Sequence, residues 1–315
     1  MNVLLLSHQL DFSGAPIALL RLAETLVNQG HTVSLLSLKN GPLGTDFGKL
    51  GVKQFSTADA QQYDLYVANT VVTVPLALKL APSVEKITAW IHESRDFFKL
   101  YGLDENKFGL SQLRRAFFPA QFMLEQYREL MPNCELGQLR NVVSMQGVEV
   151  RNEYKDCFAV AGSWETRKNQ SSILKLLEQT QLNIRLNFIG AKKPAGLTDS
   201  PHHFCGQVPA LESKGLIAGS SGLISAAKSE AQPLTVIEAA MSSKPVLLSN
   251  IAAHRELCQL IPSLVIFDSN SPSSFAQGYK DLQNLSTYEL NEGAQLAECY
   301  FGHTAFAQKV QTLVQ

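Results

Sequence analysis

The chain has 315 residues, 45% of them hydrophobic and 17% charged, which is enough length and apolar material for two ordinary domains with their own cores. Its 27 Lys and Arg balance 28 Asp and Glu to a net charge of −1, so no global field gathers nucleic acid or anionic lipid. The five cysteines (Cys134, Cys157, Cys205, Cys258, Cys299) are odd in number, widely spaced and without a C-x-x-C pair. They read as reduced, mostly buried thiols of a cytoplasmic protein, not as a disulfide or zinc framework. The opening MNVLLLSHQL lacks a basic leading region and its apolar run is too short for a signal peptide. No stretch approaches the roughly 20 apolar residues of a membrane span.

Val3–Ser7 reads as a buried first strand. A loop through Gly14 follows, and Pro16 suits the start of a helix whose face carries Ile17, Leu20, Ala23, Leu26 and Val27. Gly30 ends that helix and Thr32–Leu38 forms the next strand. This is the opening of a βαβ unit, whose ligands bind at the carboxyl edge of the strands. Gly14 would let a phosphate or sugar approach the backbone closely, or it serves only a tight turn. Leu65–Ala68 and Ile87–Ile91 are further strands, ending in Asn69-Thr70 and His92-Glu93. His92 is then either a cleft residue or a histidine satisfied by backbone. Residues 95–128 mix basic and aromatic side chains with Asp96, Asp104 and Glu105. A soluble structural surface is the preferred reading over a membrane-docking one, with Phe117-Phe118 in a core strand. Gln121–Met131 reads as a helix.

Asn141–Lys155 lacks periodicity and is the candidate interdomain linker. Cys157–Gly162 starts a second domain with a buried strand. The loop Ser163–Gln170 carries Arg167 and Lys168 beside a helix start through Ile173, Leu174, Leu176 and Leu177. Two such cations suit a diphosphate leaving group, or they form a solvated basic turn. Ile184–Ile189 and His203–Val208 follow as strand segments.

The stretch Ser221–Asn250 organises the second half. Gly222–Ala227 and Pro245–Ser249 read as buried parallel strands around a helix that starts at Pro233 and repeats Leu234, Ile237, Ala240 and Met241. Glu230 lies in the loop and Glu238 in the second helical turn, among Ile237, Ala239 and Ala240. A carboxylate there needs a partner, and a sugar diol is one that suits it. The N–H groups of Leu234 and Thr235 would point out of the helix start toward a phosphate. An ordinary amphipathic helix with Glu238 reaching solvent is the other reading. Ala253–Cys258, Pro272–Leu285 and 288–315 read as helical, and Leu264–Phe267 as a last strand.

Glu230, seven residues, Glu238, then Ala-Ala-Met and Lys-Pro-Val, resembles the E-x7-E signature of the retaining group 1 (family 4) glycosyltransferases. The resemblance implies a GT-B fold: two Rossmann-like α/β domains with parallel sheets facing a central cleft. The expected divisions are 1–150 on the acceptor side, 151–295 on the nucleotide-sugar side, and a helix over 296–315 packing back on the first domain through Phe306, Val310, Leu313 and Val314. It further implies that Gly14 lies in the loop facing donor and acceptor, with Ser13 where relatives often have another glycine. His92 would contact the transferred sugar and the reaction centre. Lys168 matches the lysine of the family's G-R-x-x-x-x-K-G phosphate loop, whereas Ser163 and Asn169 replace its Arg and final Gly; Arg167 would supply the missing charge. Gly206, in Cys205-Gly206-Gln207-Val208, matches a Gly-x-Val segment near the base.

The resulting expectation is a retaining, metal-independent transferase with no cofactor beyond its nucleotide-sugar donor. Glu238 would hold the ribose and Glu230 the transferred sugar. The acceptor would be a glycan, a lipid-linked sugar or another hydroxyl compound, and peripheral contact with a membrane surface is not favoured. The absence of a D-x-D signature agrees with metal independence. Two other readings are a nucleotide-sugar epimerase on the same fold and a non-catalytic partner subunit, the latter suggested by Ser163 and Asn169.

Overall fold

The computed structural model describes residues 1–55, 62–194 and 200–314. The chain forms two compact units. The first comprises Met1–Val142 with His303–Gln315, and the second Val143–Gly302. The passages thus fall after Val142 and Gly302, where the sequence reading put them at 150/151 and 295/296. Side-chain packing sets these positions. Val142 packs on the first core and Val143 on the second, and Phe301 is still buried in the second unit's core.

In the first unit, β1 (Asn2–Ser7), α1 (Gly14–Asn28), β2 (Thr32–Ser37), α2 (Gly44–Lys49), β3 (Lys53–Phe55), β4 (Leu65–Asn69), α3 (Val74–Leu80), β5 (Ile87–Trp90), α4 (Arg95–Tyr101), β6 (Arg115–Phe118), α5 (Gln121–Tyr127) and β7 (Glu135–Gln138) follow in turn. The sheet order is β3-β2-β1-β4-β5-β6-β7, with all pairings parallel. The strand order reverses between β1 and β4, so the loops after these strands border the crevice where open parallel sheets bind ligands.

The second unit continues with β8 (Phe158–Ala161), α6 (Gln170–Thr180), β9 (Leu186–Ile189), β10 (His203–Gly206), α7 (Ala210–Gly219), β11 (Gly222–Ser225), α8 (Leu234–Met241), β12 (Val246–Ser249), α9 (Ala252–Leu260), β13 (Leu264–Phe267), α10 (Pro272–Gln283) and α11 (Thr287–Phe301). Its parallel sheet runs β10-β9-β8-β11-β12-β13, with the reversal between β8 and β11. Side chains alternate along a strand. Leu223, Val246 and Leu248 therefore enter one core with α7, α8 and α11, while Ile224 and Leu247 enter another with α6 and α10. Burial on both faces is why these strands read as continuous apolar runs.

The last helix, α12 (His303–Leu313), belongs to the first unit. Phe306, Val310 and Leu313 recur at helical spacing and are buried in the core around α1 and β1. The structure differs from the sequence reading in several details: of the five cysteines only Cys157 is buried, Cys134, Cys205 and Cys258 being partly exposed and Cys299 exposed. Helix α5 stops at Tyr127, not Met131, and Pro233 is the residue before α8, not its first. Phe117 and Phe118 are buried in β6, as expected of a core strand.

Candidate active site

The second unit gathers most of the expected donor residues at the carboxyl edge of β8 and β11. Gly162 follows β8 with φ +121, and a Cβ there would press on the Lys168 side chain. The glycine therefore lets the Lys168 stem lie across the strand end. Asn169 has φ 53 and ψ 34, the left-handed region that asparagine tolerates better than most residues with a Cβ. Its amide also donates to the Ala226 carbonyl at 3.1 Å. Asn169 thus takes up a backbone conformation that a glycine would also adopt readily. Ser163 is exposed, and Arg167 lies beside Lys168 with both side chains on Glu230.

Glu230 is buried in the β11–α8 loop. It accepts Lys168 Nζ at 2.6 Å and Arg167 Nη1 at 2.8 Å. Arg167 Nη2 also pairs with Glu165 at 2.9 Å. Burial alone would raise the Glu230 carboxyl, but Lys168 and Arg167 outweigh it and hold the group below the usual carboxylate value. The two cations assigned to the diphosphate are thus both engaged by the carboxylate assigned to the sugar. Beside them, His254 of α9 is fully buried and donates Nδ1–H to the Ser249 carbonyl at 2.7 Å. Burial depresses its imidazole to about 4.

Helix α8 starts at Leu234 and Thr235 without a side-chain cap, which leaves its N-terminus suited to an anion. Glu238, one turn further in, is buried. Its partner is Lys214 of α7, with Nζ 3.5 Å from Oε1. Burial raises the Glu238 carboxyl to about 7, with Lys214 opposing the rise. Lys214 went unremarked in the sequence, because nothing local ties residue 214 to residue 238. Gly206 ends β10 at φ +66. There it closes a backbone exchange in which Gly190 N–H donates to its carbonyl and its own N–H donates to Ala191.

The first unit holds a second polar cluster at the ends of β1, β4 and β5. Asn69 is fully buried, donates to the Ala15 carbonyl at 3.0 Å, and presents Oδ1 to His92 Nε2 at 2.9 Å. That network assigns the proton to Nε2 and a lone pair to Nδ1. Burial, aided by His8, holds the His92 imidazole at about 3, so it is neutral. Trp90 packs against its ring, with centroids 4.6 Å apart. Asn69 therefore orients His92 and offers no exposed surface of its own. Thr70 has φ 85, a strained value for a β-branched residue of the kind that clusters at functional sites. The turn sends Val71 N–H to Glu93 Oε2 at 3.2 Å. Burial raises the Glu93 carboxyl to about 7. Gly14 is the first residue of α1, and a Cβ on it would meet nothing within 4 Å. Neither a tight turn nor crowding requires glycine there. The open space beside it is compatible with a close ligand.

A family model described as glycosyl-transferase family 4 matches residues 1–175, more than half of the chain. Among solved structures, the chain is similar to HepE from Anabaena in complex with UDP and glucose, with a TM-score of 0.76 at 13% identity over 99% of this chain and 98% of that one. It is similar to sucrose-phosphate synthase from Thermosynechococcus elongatus, with 0.77 at 12% over 99% and 98%. It is also similar to WaaG, a glycosyltransferase involved in lipopolysaccharide biosynthesis, with 0.60 at 13% over 99% and 98%. At these identities the likeness is one of fold. No curated protein matches in sequence. The two parallel-sheet units, the family match over the first 175 residues and the fold shared along the whole length agree: the chain belongs to glycosyltransferase family 4 and is a glycosyltransferase of the GT-B fold.

Proposed function

We propose that the protein is a retaining glycosyltransferase that moves a sugar from a nucleotide-sugar to a hydroxyl of a glycan, lipid-linked or small-molecule acceptor. The observation that carries this reading is the grouping of Arg167, Lys168 and Glu230 in direct contact, with the uncapped start of α8 and buried Glu238 in the same strand–loop–helix unit. HepE, a fold neighbour, has been seen with UDP-glucose, which supports UDP-sugars as the first donors to try.

In this reading the diphosphate lies against Lys168, Arg167 and the N–H groups of Leu234 and Thr235. These oppose the negative charge that grows as the glycosidic C–O bond breaks. Glu238 accepts the ribose hydroxyls, Gly206 borders the base, and Glu230 takes hydroxyls of the transferred sugar. His92, neutral and with no partner on Nδ1 among the described residues, is assigned to accept a hydroxyl of the transferred sugar there, and Gly14 to the loop that admits donor and acceptor. The acceptor oxygen bonds to the anomeric carbon on the face that the diphosphate leaves, and the acceptor proton passes to a diphosphate oxygen. No metal or other cofactor enters these steps.

The test is an assay of nucleoside diphosphate release from UDP- and GDP-sugars over an acceptor panel, with proton NMR of the anomeric linkage. Expected are acceptor-dependent release, a product with the donor's anomeric configuration, and rates unchanged by EDTA. An inverted linkage, or an EDTA-sensitive rate, would overturn the mechanism. Release without an acceptor and with epimerised sugar would favour an epimerase.

A further inference from the structure

Helix α7 carries one cation into the second unit's site. Lys214 Nζ donates to the Ser144 carbonyl at 2.7 Å and stands 3.5 Å from Glu238 Oε1, with the Lys214 and Glu238 side chains only 16% and 11% exposed. The helix is fixed where it makes this contact. Arg151 N–H donates to the Gly215 carbonyl at 3.0 Å, and a Cβ at Gly215 or Gly219 would collide with the backbone of Glu149 or Arg151. The ammonium is therefore anchored on backbone at one side and offered to the carboxylate at the other. Among the described residues, Lys214 is the charged group acting on Glu238. Helix α11, packed along α8, contributes Ala297 and Phe301 to the adjoining core, and β12 contributes Val246 and Leu248.

We propose that Lys214 is a positioning residue for the donor's ribose: it fixes Oε1 of Glu238 so that Oε2 accepts the 2′- and 3′-hydroxyls, and it thereby sets a preference for ribonucleotide over 2′-deoxyribonucleotide donors. This rests on the donor reading above. A carboxylate oxygen has the lone pairs for two hydroxyl donors, and each such charge-assisted bond is among the stronger kinds. Loss of the 2′-hydroxyl forfeits one of them. Without Lys214, the carboxylate loses its fixed orientation and the charged group that opposes its burial among the described residues.

The experiment is calorimetric titration of UDP, GDP, dUDP and dGDP into wild type, Lys214→Met, Lys214→Gln and Lys214→Arg from about pH 6 to pH 9. In wild type the ribonucleotide that binds should do so about 10-fold more tightly than its deoxy form. Its affinity should fall below about pH 7, where Glu238 takes up a proton. Lys214→Met should compress the ribose preference to within about 3-fold and move the pH midpoint up by about one unit, since an opposing cation is gone. Lys214→Gln keeps a polar amide without charge and should behave like Lys214→Met. It also serves as the decisive variant if the methionine protein does not fold. Lys214→Arg should restore both the preference and the midpoint. Neutral variants with the wild-type ribose preference and midpoint overturn the proposal. A wild type that binds neither UDP nor GDP overturns the donor reading itself.

Discussion

Replacing Glu230 with Gln removes the charge that Arg167 and Lys168 share. Glu230 is 7% exposed at its side chain, Lys168 17% and Arg167 24%, so this is a mostly buried network. Removing one partner of a buried pair leaves an uncompensated charge and costs about 3–5 kcal/mol. Two features reduce that here: Glu165 still holds Arg167 at 2.9 Å, and both cations keep some contact with water. The expected loss is roughly 2–3 kcal/mol, a fall of about 5–10 °C in the melting of the second unit. A nucleoside diphosphate brings the missing negative charge. It should therefore raise the melting temperature more in Glu230→Gln than in wild type, by mass action on the folded state. The acid dependence has a definite sign. The Glu230 carboxyl is held below its unfolded value, so its contribution is present above about 4.5 and is lost as pH falls through the lowered folded value. Wild type and variant should converge there. The assay is scanning fluorimetry with and without UDP or GDP, at neutral pH and down an acid series. A variant that melts within about 1 °C of wild type and shows the same nucleotide shift would refute the clamp.

Three further outcomes are expected. Glu93 titrates at about 7 because of burial, so its ionisation penalises the fold above pH 7 and not below about 4.5. Glu93→Gln should stabilise the protein by roughly 2 kcal/mol at pH 8 and by nothing at pH 4.5, read by urea denaturation; an equal effect at both would contradict the burial argument. Asn169 sits at φ 53, so Asn169→Gly should leave stability within about 0.5 kcal/mol of wild type. Asn169→Val should cost roughly 1–2 kcal/mol and weaken nucleotide binding, and equal behaviour of the two variants would remove the backbone explanation. Phe306 is 4% exposed and its ring centroid lies 6.1 Å from that of Trp90. Phe306→Ala should cost about 3–4 kcal/mol in the unfolding of the first unit, and a loss under about 1 kcal/mol would mean that α12 does not complete that core.

How far the sequence could be read depended on what each segment buries. Strands β8, β11 and β12 stood out because both of their faces are covered, which leaves uninterrupted apolar runs such as Leu223–Ile224 and Val246–Leu248. Edge strands β3 and β7 did not, since Lys53, Gln54 and Glu135 are exposed and the strands are short. Helix α7 also escaped notice. Its buried residues run together from Gly215 to Gly219 without a helical stripe, because two of them are glycines pressed against backbone. The site follows the same division. The spacing of Glu230 and Glu238 is local and legible. The ion pairs joining Glu230 to residues 63 and 62 positions earlier, and Glu238 to Lys214, are tertiary. Asn69 was noticed as a strand end, but its work of orienting His92 depends on Ala15, 54 residues away.

The most direct measurement on the donor site is a thermal-shift titration with UDP, GDP and their sugars, comparing wild type with Glu238→Ala. Ligand binding to the folded state raises the melting temperature. The account predicts a saturable shift with one base, abolished or much reduced in Glu238→Ala. No shift with any of these nucleotides at millimolar concentration, or a shift untouched by the substitution, would contradict it.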